Sequence, residues 1–290
     1  MEGQAEVDDA LHPATRGLLW AVVVLALLAG IELFVLSDHT DRFFAWTIDP
    51  PLSAAFLGAT YWSAATMALL SVRPGRWSSA RPMVVGILAV TPLLLVVTLA
   101  NLGTFRMDSV YGIAWLVVYA SLPVLTPVVV ALQIRRTTWR PASVPIPRAL
   151  IVVIVLLAIA LAAIGMTLLV TPSAAGRFWA WRLAPLSARA IGAWFVAYGA
   201  TAAWIAWEGD LVRSAAPAAA YAVFGGLGLA ALIRHANAVD WRSWRTWALV
   251  AALALSAAGG AIVATLAVRA RRARVPGPAA IEAAATAGGP

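Results

Sequence analysis

The chain has 290 residues, of which 62% are hydrophobic and 12% charged, with a mean hydropathy of +0.85; these values lie outside the range of soluble domains and make lipid its solvent. It has no cysteine, which excludes disulfides, thiolate metal sites, iron–sulfur clusters and cysteine nucleophiles, and no lysine, which excludes Schiff-base chemistry of the retinal or pyridoxal kind. All the positive charge behind the net +8 is arginine, scattered between apolar runs rather than gathered in a solvated basic domain, so nucleic acid is not an expected partner.

Stretches of about 20 apolar residues mark transmembrane helices. The first runs from Gly17 to Leu36, behind an acidic leader with Glu2, Glu6, Asp8 and Asp9; a secretory signal would need a basic leader. Clear runs follow at Ala54 to Val72, Met83 to Ala100, Val110 to Leu132 and Leu150 to Val170. Weaker, alanine-rich runs follow at Ile191 to Trp207, Ala216 to Ile233 and Trp247 to Val268. The expected class is therefore an all-α polytopic membrane protein of eight spans. Its segments are a leader (1–16), a first helical unit (17–133), a linker (134–149), a second unit (150–268) and a tail (269–290) rich in Pro, Ala and Gly that reads as disordered.

Arginine placement sets the expected orientation. Thirteen of the 21 arginines fall on the side of the leader, the even-numbered loops and the tail, with clusters at Arg73, Arg76 and Arg81, at Arg135, Arg136, Arg140 and Arg148, and at Arg269, Arg271, Arg272 and Arg274. Both termini are expected in the cytoplasm. Arginine in place of lysine, in an alanine-rich chain, is the usage of a GC-rich genome, and the expected location is a bacterial plasma membrane.

The sequence repeats itself. Arg42-Phe43-Phe44-Ala45-Trp46, leading through Pro51 to Ser53, recurs as Arg177-Phe178-Trp179-Ala180-Trp181, leading through Pro185 to Ser187. Gly58 matches Gly192, and Ala100-Asn101 followed by Arg106 is echoed by Ala236-Asn237 followed by Arg242. Two ordered blocks imply two copies of a four-helix unit. An even number of spans per copy makes them parallel, related by an axis along the membrane normal. Both blocks then lie on the outer face. One reading makes them aromatic anchors and helix starts, with proline in the first turn and Ser53 and Ser187 satisfying exposed amides. The other makes Arg42, Arg177, Arg106, Arg242, Asn101 and Asn237 the lining of an outward cleft between the copies, able to hold an anionic headgroup or carboxylate.

Ionisable groups inside a bilayer are costly and point to function. Glu32, in the outer third of the first span, is the strongest candidate; its place in the second copy falls near Thr167, so this charge breaks the symmetry. Glu208 and Asp210, near Arg213, read as a solvated cluster at a helix end. Asp38, His39 and Asp41 carry ligand-type atoms, but the three histidines His12, His39 and His235 form no spaced pair, so no metal site is expected. His235 is the better pH-sensing candidate. No phosphate-binding loop and no nucleophile elbow is present, and no cofactor is expected. Gly225, Gly226 and Gly228 with Gly259 and Gly260 read as close helix contacts, and Pro92, Pro123 and Pro127 as kinks able to open a cavity.

The leading functional expectation is transporter-like handling of a small molecule or lipid at the outward cleft, with membrane lipids as surroundings and Glu32, Arg42, Arg177, Asn101, Asn237, Arg106 and Arg242 as its ligand-binding set. The alternatives are a non-catalytic subunit packed against a protein partner or a second copy, and a membrane-embedded transferase using Glu32, Asp38 and His39.

Overall fold

A computed structural model describes residues 9–137 and 141–273. Glu2, Glu6, Asp8, Arg140, Arg274 and most of the tail lie outside the described residues.

Eight helices are long and apolar enough to cross a membrane: α1 (Pro13–Val35), α2 (Pro51–Val72), α3 (Trp77–Leu99), α4 (Val110–Ile134), α5 (Arg148–Val170), α6 (Pro185–Glu208), α7 (Ala215–Arg234) and α8 (Trp244–Arg272). No strand occurs among the described residues. Each expected span is present. The largest shifts at helix starts are at α3 and α6, which begin six residues before Met83 and Ile191; in α3, Arg81 and Pro82 sit inside the helix rather than in a loop. Arg81 finds a buried partner there. Pro13, Pro51 and Pro185 open their helices at the first position, where a missing N–H loses no hydrogen bond. Ser53 and Ser187, expected to cap the amides there, make no capping bond. The Ser53 hydroxyl instead accepts the Trp181 indole N–H at 2.9 Å.

α2, α3, α6 and α7 form the inside of the bundle, α2 lying against α7 and α3 against α6. The other helices pack outside them: α1 on α2, α4 on α3, α5 on α6 and α8 on α7. α4, α5 and α8 leave most of their surface to lipid. Small residues set the close contacts. A Cβ on Gly165 would meet the Gly192 carbonyl at 2.7 Å, and one on Gly260 would meet the Ala218 carbonyl at 2.5 Å, so α5–α6 and α7–α8 touch backbone to backbone.

Loop contacts define two faces. On the face of the leader, Ala10 bridges Arg76, the Leu11 N–H donates to Gly75 O at 2.8 Å and the Trp77 N–H to Asp9 O at 2.7 Å. The same clasp recurs at Pro145 and Asp210, with Ile146 N–H donating to Gly209 O at 2.9 Å and Leu211 N–H to Val144 O at 2.8 Å. Gly75 (φ 66°) and Gly209 (φ 62°) are the positive-φ residues among those described, and each makes the turn its clasp needs.

On the far face, the two aromatic blocks are not mainly interfacial anchors. Phe43 and Phe178 are exposed, but Trp46 and Trp181 are buried. Trp46 packs with Phe44, Phe105 and Trp115; Trp181 packs with Phe56 and Trp179. The asparagine blocks also differ from their sequence pairing. A short 3-10 turn follows Asn101 in one case and His235 in the other, with similar backbone angles at both, so His235 rather than Asn237 holds the place of Asn101. Turn geometry sets this register, and Asn237 falls within the turn, exposed.

Candidate functional site

A cavity of about 240 Å³ lies within the first four helices, closed on its inner side by α6. α1 contributes Leu25, Leu28 and Glu32; α2 Tyr61, Ser63 and Ala64; α3 Gly86, Ile87 and Thr91; α4 Tyr111, Ala114, Trp115 and Tyr119; α6 Trp194, Tyr198 and Thr201. It exceeds the engineered cavity of about 150 Å³ that takes benzene and falls short of the about 300 Å³ at which drug-sized pockets begin. Such a space suits one ring or a compact head group.

α1 and α4 are tied together on the leader face. There the buried Gln133 of α4 accepts the His12 N–H at 2.7 Å and the Thr15 hydroxyl at 2.9 Å, and donates to Ala10 O and Thr137 Oγ1, both at 3.0 Å. Beyond that knot both helices line the cavity. Leu25, Leu28 and Ala114 line the cavity and are also exposed on the outer, lipid-facing surface of the bundle, so its mouth opens sideways, toward the bilayer. The corresponding helices of the second half close up instead. At offsets of about 134 residues, Gly225 and Gly260 stand where α3 and α4 carry Thr91 and Thr126, and where Ala257 of α8 packs on Gly225, α4 has Pro123.

Glu32 stands in a π-helical turn, Ile31–Val35, at the end of α1; α5 runs as plain α-helix through the matching Thr167. Single π turns in helices recur at functional sites. Carbonyls of this turn are held from the other half: Arg234 donates to Phe34 O and, at 3.0 Å, to Val35 O, and pairs with Asp38 at 3.3 Å. Beside it, His235 Nε2 and the Ser37 hydroxyl lie 3.2 Å apart. Burial lowers the pKa of His235, the neighbouring Arg234 charge acts in the same direction, and Asp38 opposes both. Glu32 itself is half-buried, within electrostatic reach of the Tyr61 phenol, and makes no hydrogen bond or ion pair among the described residues.

The remaining polar groups are largely self-satisfied. The Tyr61 and Tyr119 hydroxyls bond each other at 2.7 Å. Ser63 donates to Ala220 O at 2.8 Å, Thr91 to Ile87 O at 2.8 Å, and the Trp115 indole to Thr98 Oγ1 at 2.9 Å. The Trp194 indole N–H is buried without a hydrogen bond of standard geometry. Among the described residues no Arg, His or Asp lines the cavity.

Of the ligand-binding residues expected from sequence, only Glu32 reaches this site. Arg42 is exposed and faces Asp41 at 3.8 Å; Arg106 donates to Asp41 O. Asn101 donates to Val97 O and accepts from Arg189 of α6 at 3.2 Å, bridging the halves. Arg177 lines a separate open hollow on the far face with Trp179, Arg182 and Asp240. Arg242 and Asn237 are exposed and line neither space. Asp38 is tied to Arg234, and no cluster of three metal-ligating side chains occurs among the described residues.

Glu208 and Asp210 depart from expectation altogether. They are buried, not solvated. Arg81 Nη1 meets Glu208 Oε1 at 2.8 Å, Arg213 pairs with Asp210 at 3.4 Å, and Asp210 accepts the N–H groups of Ser143, Val212 and Arg213. The linker folds over this end of α6 and excludes water from it. Met83 of α3 and Thr201 of α6, both cavity residues, stand between this network and the cavity.

Sequence reasoning missed the tyrosines and tryptophans that make the wall. A signal existed: at offsets of about 134 residues Tyr61, Tyr119 and Glu32 stand opposite Phe195, Leu253 and Thr167, so the two halves of the sequence differ in polarity there. No protein-family model, curated protein or solved structure matches the chain.

Proposed function

We propose that this integral membrane protein binds a small lipophilic molecule, admitted sideways from the bilayer between α1 and α4, in a transporter-like role. The observation that carries the reading is a lipid-open cavity holding one unpaired carboxyl, Glu32. An acid inside a membrane is costly and is kept where it meets a substrate, an ion or a proton. Cavities of this composition, largely apolar with few convergent polar groups, are the usual form of small-molecule sites. The paired clasps at Gly75 and Gly209 and the matching helix contacts support two parallel four-helix copies. One copy has closed its space and the other has kept a cavity. The buried Arg81–Glu208 pair joins α3 to α6 on the leader face, and the arginine excess there supports a cytoplasmic side, in a bacterial plasma membrane.

A photoactivatable alkyl diazirine tests this in nanodiscs. Labelling is expected at Ala64 and Ile87, which bulk lipid does not touch because both are buried. It should disappear in Ala114→Trp, which fills the mouth, and persist in Ala254→Trp on the exposed face of α8. Labelling confined to outward-facing positions in all three proteins overturns the proposal.

A further inference from the structure

We infer that the cavity, if it binds a lipophilic molecule as proposed above, selects a cation: an ammonium head set against Glu32 and the surrounding aromatic rings, with its apolar remainder leaving through the α1–α4 mouth. Three independent features point to positive charge.

The first is the lack of any resident counter-ion. Among the described residues no basic side chain lines the cavity. The arginines that bond to the π turn and to the segment following it are engaged there: Arg42 with Asp41, Arg106 with the Asp41 carbonyl, and Arg234 with Asp38 and the Phe34 and Val35 carbonyls. With no internal cation to stabilise it, a carboxyl in a low-dielectric wall ionises where a cation comes to it, and it offers an anion no partner.

The second is the wall itself. Tyr61 and Trp194 pack edge to face at 4.9 Å, and Trp115 and Tyr119 lie tilted at 4.3 Å. All four line the cavity, with Tyr111 and Tyr198 beside them. Ring faces carry negative charge density and hold quaternary ammonium groups within about 6 Å. The hydroxyls of Tyr61 and Tyr119 satisfy each other, which leaves their rings as the groups offered to a ligand.

The third is the way the copies differ. Glu32, Tyr61 and Tyr119 are replaced together by Thr167, Phe195 and Leu253. The acid and the phenols form one set, present where there is a cavity and lost where α7 and α8 close through Gly225 and Gly260.

Benzyltrimethylammonium and its uncharged carbon isostere neopentylbenzene separate charge from shape. Binding to the protein in zwitterionic nanodiscs is measured by equilibrium dialysis and corrected with empty discs. The cation should bind saturably and be preferred by about tenfold or more, a ratio worth roughly 1.4 kcal/mol. Glu32→Gln should abolish that preference and leave binding of the isostere intact, while Glu32→Asp retains it. Equal binding of both compounds, unchanged in Glu32→Gln, overturns the cation assignment and leaves the cavity reading standing. Binding of neither compound overturns both. Should Glu32→Gln fail to fold, the comparison on the unaltered protein decides by itself.

Discussion

The hydroxyls of Tyr61 and Tyr119 meet at 2.7 Å in the wall of the cavity, one from α2 and one from α4. Both side chains are buried, so each hydroxyl depends on the other. Tyr119→Phe leaves the Tyr61 hydroxyl unsatisfied, which costs about 1–3 kcal/mol. Changing both to Phe removes donor and acceptor together and should recover most of the loss, since the corresponding Phe195 and Leu253 are already apolar. Thermal unfolding of the single and double variants in detergent checks this. Fully additive losses would show that the bond contributes nothing.

Arg81 and Glu208 are 3% and 2% exposed and join α3 to α6 at 2.8 Å. Breaking a buried pair from one side costs about 3–5 kcal/mol, whereas an apolar pair of similar size is often neutral. Glu208→Leu should therefore lower the unfolding temperature strongly, and Arg81→Met combined with Glu208→Leu should restore most of it. Arg213, 3.8 Å from Glu208, loses that contact in either variant while keeping Asp210 at 3.4 Å, so recovery is expected to be incomplete. A double variant no more stable than Glu208→Leu alone would contradict a pairwise role.

The spans were legible because a bilayer demands long apolar runs whatever their packing. Glu32 was legible for the same reason, since an acid stands out in such a run. The cavity was not. Its wall draws Tyr61, Thr91, Tyr119 and Trp194 from four helices far apart in sequence, and only packing brings them together. The duplicated arginines misled in the opposite sense. Similarity between the halves of the sequence marks what both need, here buried tryptophans, helix starts and turns such as those at Trp46, Pro51 and Trp181, while the cavity is lined where the halves differ, at Glu32, Tyr61 and Tyr119. Glu208 and Asp210 were misread because a span end looks solvated in sequence, and nothing local shows that the linker at Pro141 and Ser143 folds over it.

His235 is buried at the clasp that holds the Glu32 turn, and its pKa lies below the ordinary histidine value, burial being the main cause. A depressed value means that the folded state binds fewer protons than the unfolded state over this window. Stability is therefore full above pH about 6.5, the ordinary histidine pKa, and falls as the pH drops through that value toward the lower folded one. Protonation also places a second positive charge beside Arg234. His235→Gln should flatten the loss of stability between neutral and mildly acidic pH, read from unfolding temperatures across that range. An identical slope in the variant would remove His235 from the clasp's pH response.

Gly260 and Gly226 test whether tight α7–α8 packing closes the second half. A Cβ on Gly260 would stand 2.5 Å from the Ala218 carbonyl and 2.6 Å from the Ala222 nitrogen, both backbone atoms that cannot step aside; a Cβ on Gly226 meets nothing within 4 Å. Overpacking costs about 1–3 kcal/mol, while Gly to Ala in an unobstructed helix gains up to about 1 kcal/mol in propensity. Gly260→Ala should thus lower the unfolding temperature and Gly226→Ala should hold or raise it, although both make the same chemical change within the same helix pair. Forcing α8 off α7 should also loosen the Ser256 hydroxyl's bond to Tyr221 O, 2.9 Å long, and raise amide exchange along α8 in Gly260→Ala only. If Gly260→Ala matches the parent in stability and exchange, the helices are not locked there, and the contrast between a closed second half and an open first half loses its physical basis.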